Sequence, residues 1–299
     1  MALNNYLVIE FGIGFENGNQ PVILNKISIN DSVREVLDEM KENFEAQYLA
    51  IPDAVEVFEL SEKYSPTEKL TYPLVQAELP ELFDLYANTG AIPMNDINLE
   101  QNLSLISFYF AIFHHVNGSR SVGVKRPGQF KGLLHKKVMR FWDDSLSIVP
   151  DNLFKLDSDF DFFLNQNSID ILHPSGFLYI SGIDRHTLAN AQLVTNALGQ
   201  RINFINFAHL APLVAQKVSA VKLISSIKSR PDLEHTNEQK LMNKCIAHGI
   251  ALNQVGGLMV PADADLIPFL QVLDRRLYDY DLLDNNTEQY LASSRKRQP

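Results

Sequence analysis

Three alternate acids, Asp157, Asp159 and Asp161 in the run LDSDFD, are the residues whose type and spacing first suggest chemistry. Carboxylate oxygens suit hard cations such as Mg²⁺ and Ca²⁺. An EF-hand loop counted from Asp157 would need glycine and glutamate where the chain has Phe162 and Ser168. The run reads instead as a solvated turn entering an amphipathic strand, with the acids opposite Phe160 and Phe162. A restriction-type nuclease would need an acid and then Glu-x-Lys on a strand; Glu39-Met40-Lys41 has the spacing but lies in a helical stripe. His114 and His115 end an apolar strand and point to opposite faces, so they cannot easily share a metal. One of them could touch a phosphate, but satisfied strand-end histidines are the simpler reading. Cys245 and His248 stand one helical turn apart, with no second cysteine to complete a zinc site, and Cys245 reads as packing. Gly12-Ile13-Gly14 lacks its third glycine in register, and neither a phosphate-cradling loop nor a nucleophile elbow occurs. No catalytic residue, metal ligand or cofactor site is expected, and the chain reads as a non-enzyme.

The basic segment is more informative. Between Glu100 and Asp143 no acid occurs, while Arg120, Lys125, Arg126, Lys131, Lys136, Lys137 and Arg140 do. The whole chain has a net charge of −10. Residues 1–100 hold 18 acids and 5 bases, residues 101–231 hold 14 bases and 8 acids, and the remainder holds 10 acids and 7 bases. An acid-free stretch can create a local positive field inside an acidic protein. The seven basic residues are therefore candidate DNA-binding residues, with Gly turns for close backbone approach and Phe130, Phe141 and Trp142 nearby. No recognition helix or zinc finger accompanies them, so contact would be to the double-stranded DNA backbone with little sequence preference. Lys136 and Arg140 would share the open face of a return strand, with Lys125 or Arg126 across the turn. A second acid-free window, between Asp184 and Asp232, holds Arg185, Arg201, Lys217, Lys222, Lys228 and Arg230. For both windows the bland alternative is a solvated face paired with the acidic N-terminal third.

The elements that must position these residues give an α+β expectation. The N-terminal and central half is β-rich, mixed or antiparallel, and the C-terminal half is mostly helical. Three regions follow: acidic α/β over 1–100, a basic β-rich core over 101–182, and a helical region over 183–299 with a final strand and basic tail. Leu7–Phe11 reads as a strand, followed by a Gly-rich turn and a strand at Val22–Lys26. Asn30 or Asp31 caps a helix to Tyr48, Ala54–Leu60 alternates like a strand, and Glu78–Ala87 is a short helix. Leu103–His114 suits a strand buried on both faces, with Ser121–Lys125 as partner. Lys136–Trp142, Leu146–Val149, Leu153–Leu156, Asp161–Leu164 and Ser168–Leu172 suggest an antiparallel meander. Helices are expected over Asp184–Gly199, Phe207–Ser229, Asn237–His248 and Ala264–Leu273, with strands at Leu252–Val260 and Leu277–Leu283. One cysteine excludes a disulfide framework, and the longest apolar run, Leu103–Phe113, is about half a bilayer span. The N-terminus has no signal-peptide character. A soluble protein of a reducing compartment is expected, with a homodimer as default because closed two-fold assemblies are commonest.

The run FYFAIFHHVNGSRSVGVKRPGQFKGLLHKKVMRFWDDSLSIVPDNLFKLDSDFDFFLNQNSIDILHPSGFLYI resembles the core of the Kiwa anti-phage defence protein KwaB family. The shared order is an apolar strand (Phe108–Phe113), a turn (Asn117–Arg120), a basic hairpin (Lys125–Lys137) and an acidic loop (Asp143–Asp144). Two further strands follow, at Leu156–Phe162 and Ile169–Ile171, and then Phe177, which opens the helical half. The tail, residues 275–297, is similar as well, so the resemblance covers roughly residues 100–297. It departs at Leu178, where the family carries an acid. The resemblance implies a cytoplasmic DNA-binding effector recruited to the inner membrane by a small multi-pass membrane partner, KwaA. It implies a block on phage DNA replication and late transcription. Two other readings stay open: a metal-dependent nuclease using Asp157, Asp159 and Asp161 or Glu39 and Lys41, and a protein-only scaffold.

Overall fold

The structure, a computed structural model, describes residues 6–17, 20–52, 55–64, 68–94, 105–127, 139–142, 145–148, 155–283 and 286–292. Two paired strands come first among the described residues. Strand β1 (Tyr6–Asn17) pairs with β2 (Gln20–Ile27) and, on its other edge, antiparallel with β5 (Ile106–His115). The expected Gly-rich turn is strand instead: Gly12 and Gly14 lie inside β1, opposite Phe110 and Phe108. A Cβ at either glycine would collide with the far end of the facing phenyl ring, so the bare backbone is what admits those rings.

Helix α1 (Asp31–Ala50) starts where Asn30 accepts the Val33 N–H at 3.0 Å. Its Leu37, Met40 and Phe44 pack on Ile9, Phe11, Ile13, Tyr109, Ala111 and Phe113. Val36 and Leu49 of the same helix are exposed, while Lys41 takes a buried place. The expected strand over Ala54–Leu60 shrinks to β3 (Glu56–Val57), parallel to β4 (Leu70–Pro73). Helix α2 (Pro80–Ala87) follows, close to its expected bounds. Strand β5 (Ile106–His115) is buried on both faces over its middle six residues, as its unbroken apolar run predicts.

Strand β6 (Arg120–Lys125) sits between β5 and β9 (Phe162–Leu164), and β10 (Ser168–Ile171) then pairs with β9 and β4. The eight-stranded sheet runs β2-β1-β5-β6-β9-β10-β4-β3. Residues 139–142 form β7 and pair with β8 (Ser145–Ile148) in a separate two-stranded sheet. The basic hairpin expected over Lys125–Lys137 lies, beyond Pro127, outside the described residues; the return strand expected to follow it is corrected, since β7 does not pair with β6, whose two sides face β5 and β9. Residues 155 and 156 are not strand, which corrects the part of the Leu153–Leu156 expectation inside the described residues. Helix α3 (Pro174–Ser181), which periodicity missed, ends at Gly182 with φ 59°, the left-handed turn that glycine accommodates.

The chain forms two compact units, residues 1–57 with 66–182 and residues 58–65 with 183–299. The sheet draws strands from both 1–100 and 101–182, so those two regions share one unit. The second unit is mostly helical, with two two-stranded sheets. Each of two expected long helices is broken, into α4 (Ile183–Ala189) with α5 (Ala191–Leu198) and α6 (Phe207–Ala215) with α7 (Val218–Ser229). Helix α8 (Glu238–Ala247) is capped by Asn237, which accepts the Lys240 N–H at 2.9 Å. The single strand expected at Leu252–Val260 is a hairpin, β11 (Leu252–Val255) and β12 (Leu258–Pro261), turning at Gly256-Gly257 with φ 64° and 79°. After α9 (Leu266–Leu273), β13 (Leu277–Leu283) pairs with β14 (Asn286–Leu291), so the expected last strand gains a partner. Leu210, Val214, Ile224, Ile227, Phe269 and Leu270 build its core, and Cys245 packs among them, its thiol pushed by burial up to about 11.

Candidate nucleic-acid interface

The basic segment leaves the sheet at the end of β6, where the acids near residue 160 come to meet it. Lys125 Nζ lies 2.8 Å from Asp159 Oδ1 and 3.1 Å from Asp161 Oδ1. Asp159 also meets His173 Nε2 at 3.2 Å and accepts from Gln47 of α1 at 3.1 Å. The hydrogen bond with His173 outweighs burial and, with Lys125 and Gln47, holds the Asp159 carboxyl well below the usual carboxylate range. Burial dominates at Asp161 and pushes its carboxyl up, even beside Lys125. The Lys125 ammonium loses solvent, but Asp161 and Asp159 more than compensate and raise its pKa. The expectation of a solvated acidic turn is therefore overturned: Asp159 and Asp161 are 9% and 5% exposed. Buried carboxylates demand a cation or donors.

Asp157 faces elsewhere, bonded through its N–H (3.0 Å) and carboxylate (3.4 Å) to the Tyr109 hydroxyl. The three acids thus do not converge. Among the described residues no group of three or more His, Cys, Asp or Glu side chains is arranged to hold a metal ion. Glu39 and Lys41 do not converge either: Glu39 is exposed, while Lys41 is buried over Phe113 and Phe163 and paired with Glu45. His114 pairs with Glu10 at 2.8 Å, and Lys26 meets the same carboxylate at 2.9 Å. Burial would raise the Glu10 pKa, but those two partners outweigh it and hold it below its usual value. His115 bonds Ser121 at 3.0 Å, and burial lowers its pKa.

Of the seven candidate DNA-binding residues, two are committed inside the unit. Arg120 donates to Thr89 Oγ1 (2.8 Å) and Ala87 O (3.0 Å) and lies over the Tyr86 ring. Lys125 is held between its two carboxylates, so it does not stand on an open face. Arg126 is exposed; its N–H donates to Asp161 Oδ2 at 2.8 Å and its guanidinium lies 3.7 Å from the Tyr179 ring centre. Arg140 stands on β7, paired in register with Ser147. Lys131, Lys136 and Lys137 lie outside the described residues. In the second window Arg201 binds Glu234 and two carbonyls, and Arg230 is buried against Asp232 and Leu273 O. Those partners belong to the second unit, not to the acidic N-terminal third. Sequence reasoning missed Tyr179 and Gln47, because nothing local ties either to residues about 50 or 110 positions away.

These features define an α+β protein in which a basic segment springs from a buried ion-pair network at a sheet end. The chain belongs to the Kiwa protein KwaB-like family, whose model matches residues 120–277, and it carries that family's role in Kiwa anti-phage defence. No curated protein and no solved structure matches the chain. Among the described residues no helix is long and apolar enough to cross a membrane.

Proposed function

We propose that this protein is the DNA-binding, non-enzymatic effector of a Kiwa system. In this reading it is a cytoplasmic homodimer recruited to the inner membrane by the multi-pass partner KwaA, and it blocks phage DNA replication and late transcription. The observation that carries DNA binding is the acid-free window from Arg120 to Arg140 in a chain of net charge −10. Arg126, Lys131, Lys136, Lys137 and Arg140 are the residues assigned to phosphate contact. Arg120 and Lys125 are assigned to holding the segment's base, given their partners inside the unit. The non-enzymatic reading is supported by the partners already on the two nearest acids: the Lys125 ammonium on both, His173 and Gln47 on Asp159, and the Arg126 N–H on Asp161.

Such binding releases counterions, so its affinity should fall with a log–log salt slope of about −0.9 per phosphate contact. Fluorescence anisotropy on unrelated double-stranded DNA fragments across a salt series tests this. Charge reversal at Lys136 and Arg140 to Glu should abolish binding, while reversal at Arg295 and Arg297 should change it little. A flat salt response, or binding to one operator sequence alone, overturns the reading.

A further inference from the structure

We infer that Arg126 and Tyr179 together form a built site for one phosphodiester group, with the tyrosine ring holding the guanidinium flat for a two-pronged contact. The inference deepens the DNA-binding reading and rests on it. Arg126 is the first residue beyond β6, and three constraints act on it. Pro127 follows and biases the Arg126 backbone towards extended conformations. Asp161 Oδ2 accepts the Arg126 N–H at 2.8 Å. The guanidinium then stacks on Tyr179, its carbon 3.7 Å from the ring centre.

The same carboxylate also sets where the ring stands. Gly176 of α3 lies so close to Asp161 that a Cβ there would collide with the carboxylate. Gly176 and Tyr179 are three apart on α3 and therefore share a face. One carboxylate thus registers both the arginine's backbone and the helix that carries the ring. Lys125 meets that carboxylate at its other oxygen, at 3.1 Å. Among the described residues no carboxylate takes the Arg126 guanidinium as an ion-pair partner.

Stacking occupies the face of a guanidinium and leaves its edge, where five N–H donors lie in one plane. That edge matches two phosphate oxygens, which a lysine ammonium cannot match. Both side chains are accessible: Tyr179 is 40% exposed and Arg126 is exposed. Tyr179 is accordingly a positioning residue for Arg126.

The test measures DNA anisotropy over a salt series for the full chain and four variants, with thermal melting alongside. Tyr179→Phe keeps the stack and should keep wild-type affinity. Tyr179→Leu and Arg126→Lys should each weaken binding about fivefold. Arg126→Gln should weaken it further and reduce the steepness of the salt slope by about 0.9. A merely structural role for Tyr179 would move the melting temperature but not the binding. Wild-type affinity in Tyr179→Leu or Arg126→Lys overturns this inference while leaving DNA binding in place. Failure of the wild type to bind DNA overturns both. If Tyr179→Leu does not fold, Arg126→Lys decides the matter, since it keeps the charge and alters an exposed side chain.

Discussion

Lys125 shows how a residue type can be read correctly as cationic and still be assigned the wrong environment. Its ammonium is the shared cation of two buried carboxylates, so removing it leaves Asp161 to the Arg126 N–H and Asp159 to His173 and Gln47. Lys125→Ala should cost about 3 kcal/mol at neutral pH, the scale for breaking a buried pair. The pH dependence carries the sign. Asp159 has a carboxyl held below its usual value of 3.8, so its contribution is present above about pH 4. That contribution is lost as the pH falls towards the lowered folded value. Asp161 works the opposite way, because burial raises its pKa and its protonation relieves a cost. In Lys125→Ala both acids lack the cation and protonate more readily. The deficit relative to wild type should therefore shrink on acidification. Urea unfolding at neutral and acidic pH measures it, and a deficit independent of pH would contradict this account.

At the scale of elements, β1 and β5 are fitted to each other by absence on one strand and bulk on the other. The rings of Phe108 and Phe110 occupy the space above Gly14 and Gly12. Phe110 is fully buried, so its ring cannot swing into solvent. Gly12→Ala should destabilise the chain by about 1–3 kcal/mol, the usual range for overpacking a core. The same substitution in a Phe110→Ala background should cost distinctly less, because the clash then has no second party. A double-mutant cycle by denaturant unfolding reads this coupling. Additive costs would show that Gly12 serves backbone conformation and not ring packing.

At the scale of the whole molecule, residues 58–65 belong with the second unit although they lie among strands of the first. Arg276 is the tie. It bonds Asp274 at 2.7 Å and Ser61 Oγ at 2.7 Å, and it lies 3.7 Å from Glu62. Glu59 adds bonds from Ser226 and Ser229. Arg276→Ala robs the fully buried Asp274 of this cation and should cost about 3–5 kcal/mol within that unit. Hydrogen exchange should quicken over residues 58–64 and α9, while β1, β5 and β6 keep their protection. An even rise across both units would mean that they unfold as one.

Pieces whose cause is local could be read from the residues in line. Asn30 and Asn237 cap helices because a short polar side chain can reach its own helix's free amides. The stretch Phe108–Phe113 becomes a doubly buried strand because its side chains on both faces are apolar or aromatic. The acid-free window and the KwaB-family order of segments are likewise properties of the chain read in line. Tertiary structure alone decided the partners. Phe207–Ser229 carries one apolar period yet bends between Ala215 and Val218, because packing and not periodicity decides whether a helix continues. The extended glycine strand, the failure of β7 to pair with β6 and the burial of Asp159 and Asp161 all depend on residues distant in the chain. So does the meeting of Arg126 with Tyr179. Charge, volume and hydrogen-bonding capacity are written at each position, but the group that satisfies them is chosen only when distant segments compete for the same space.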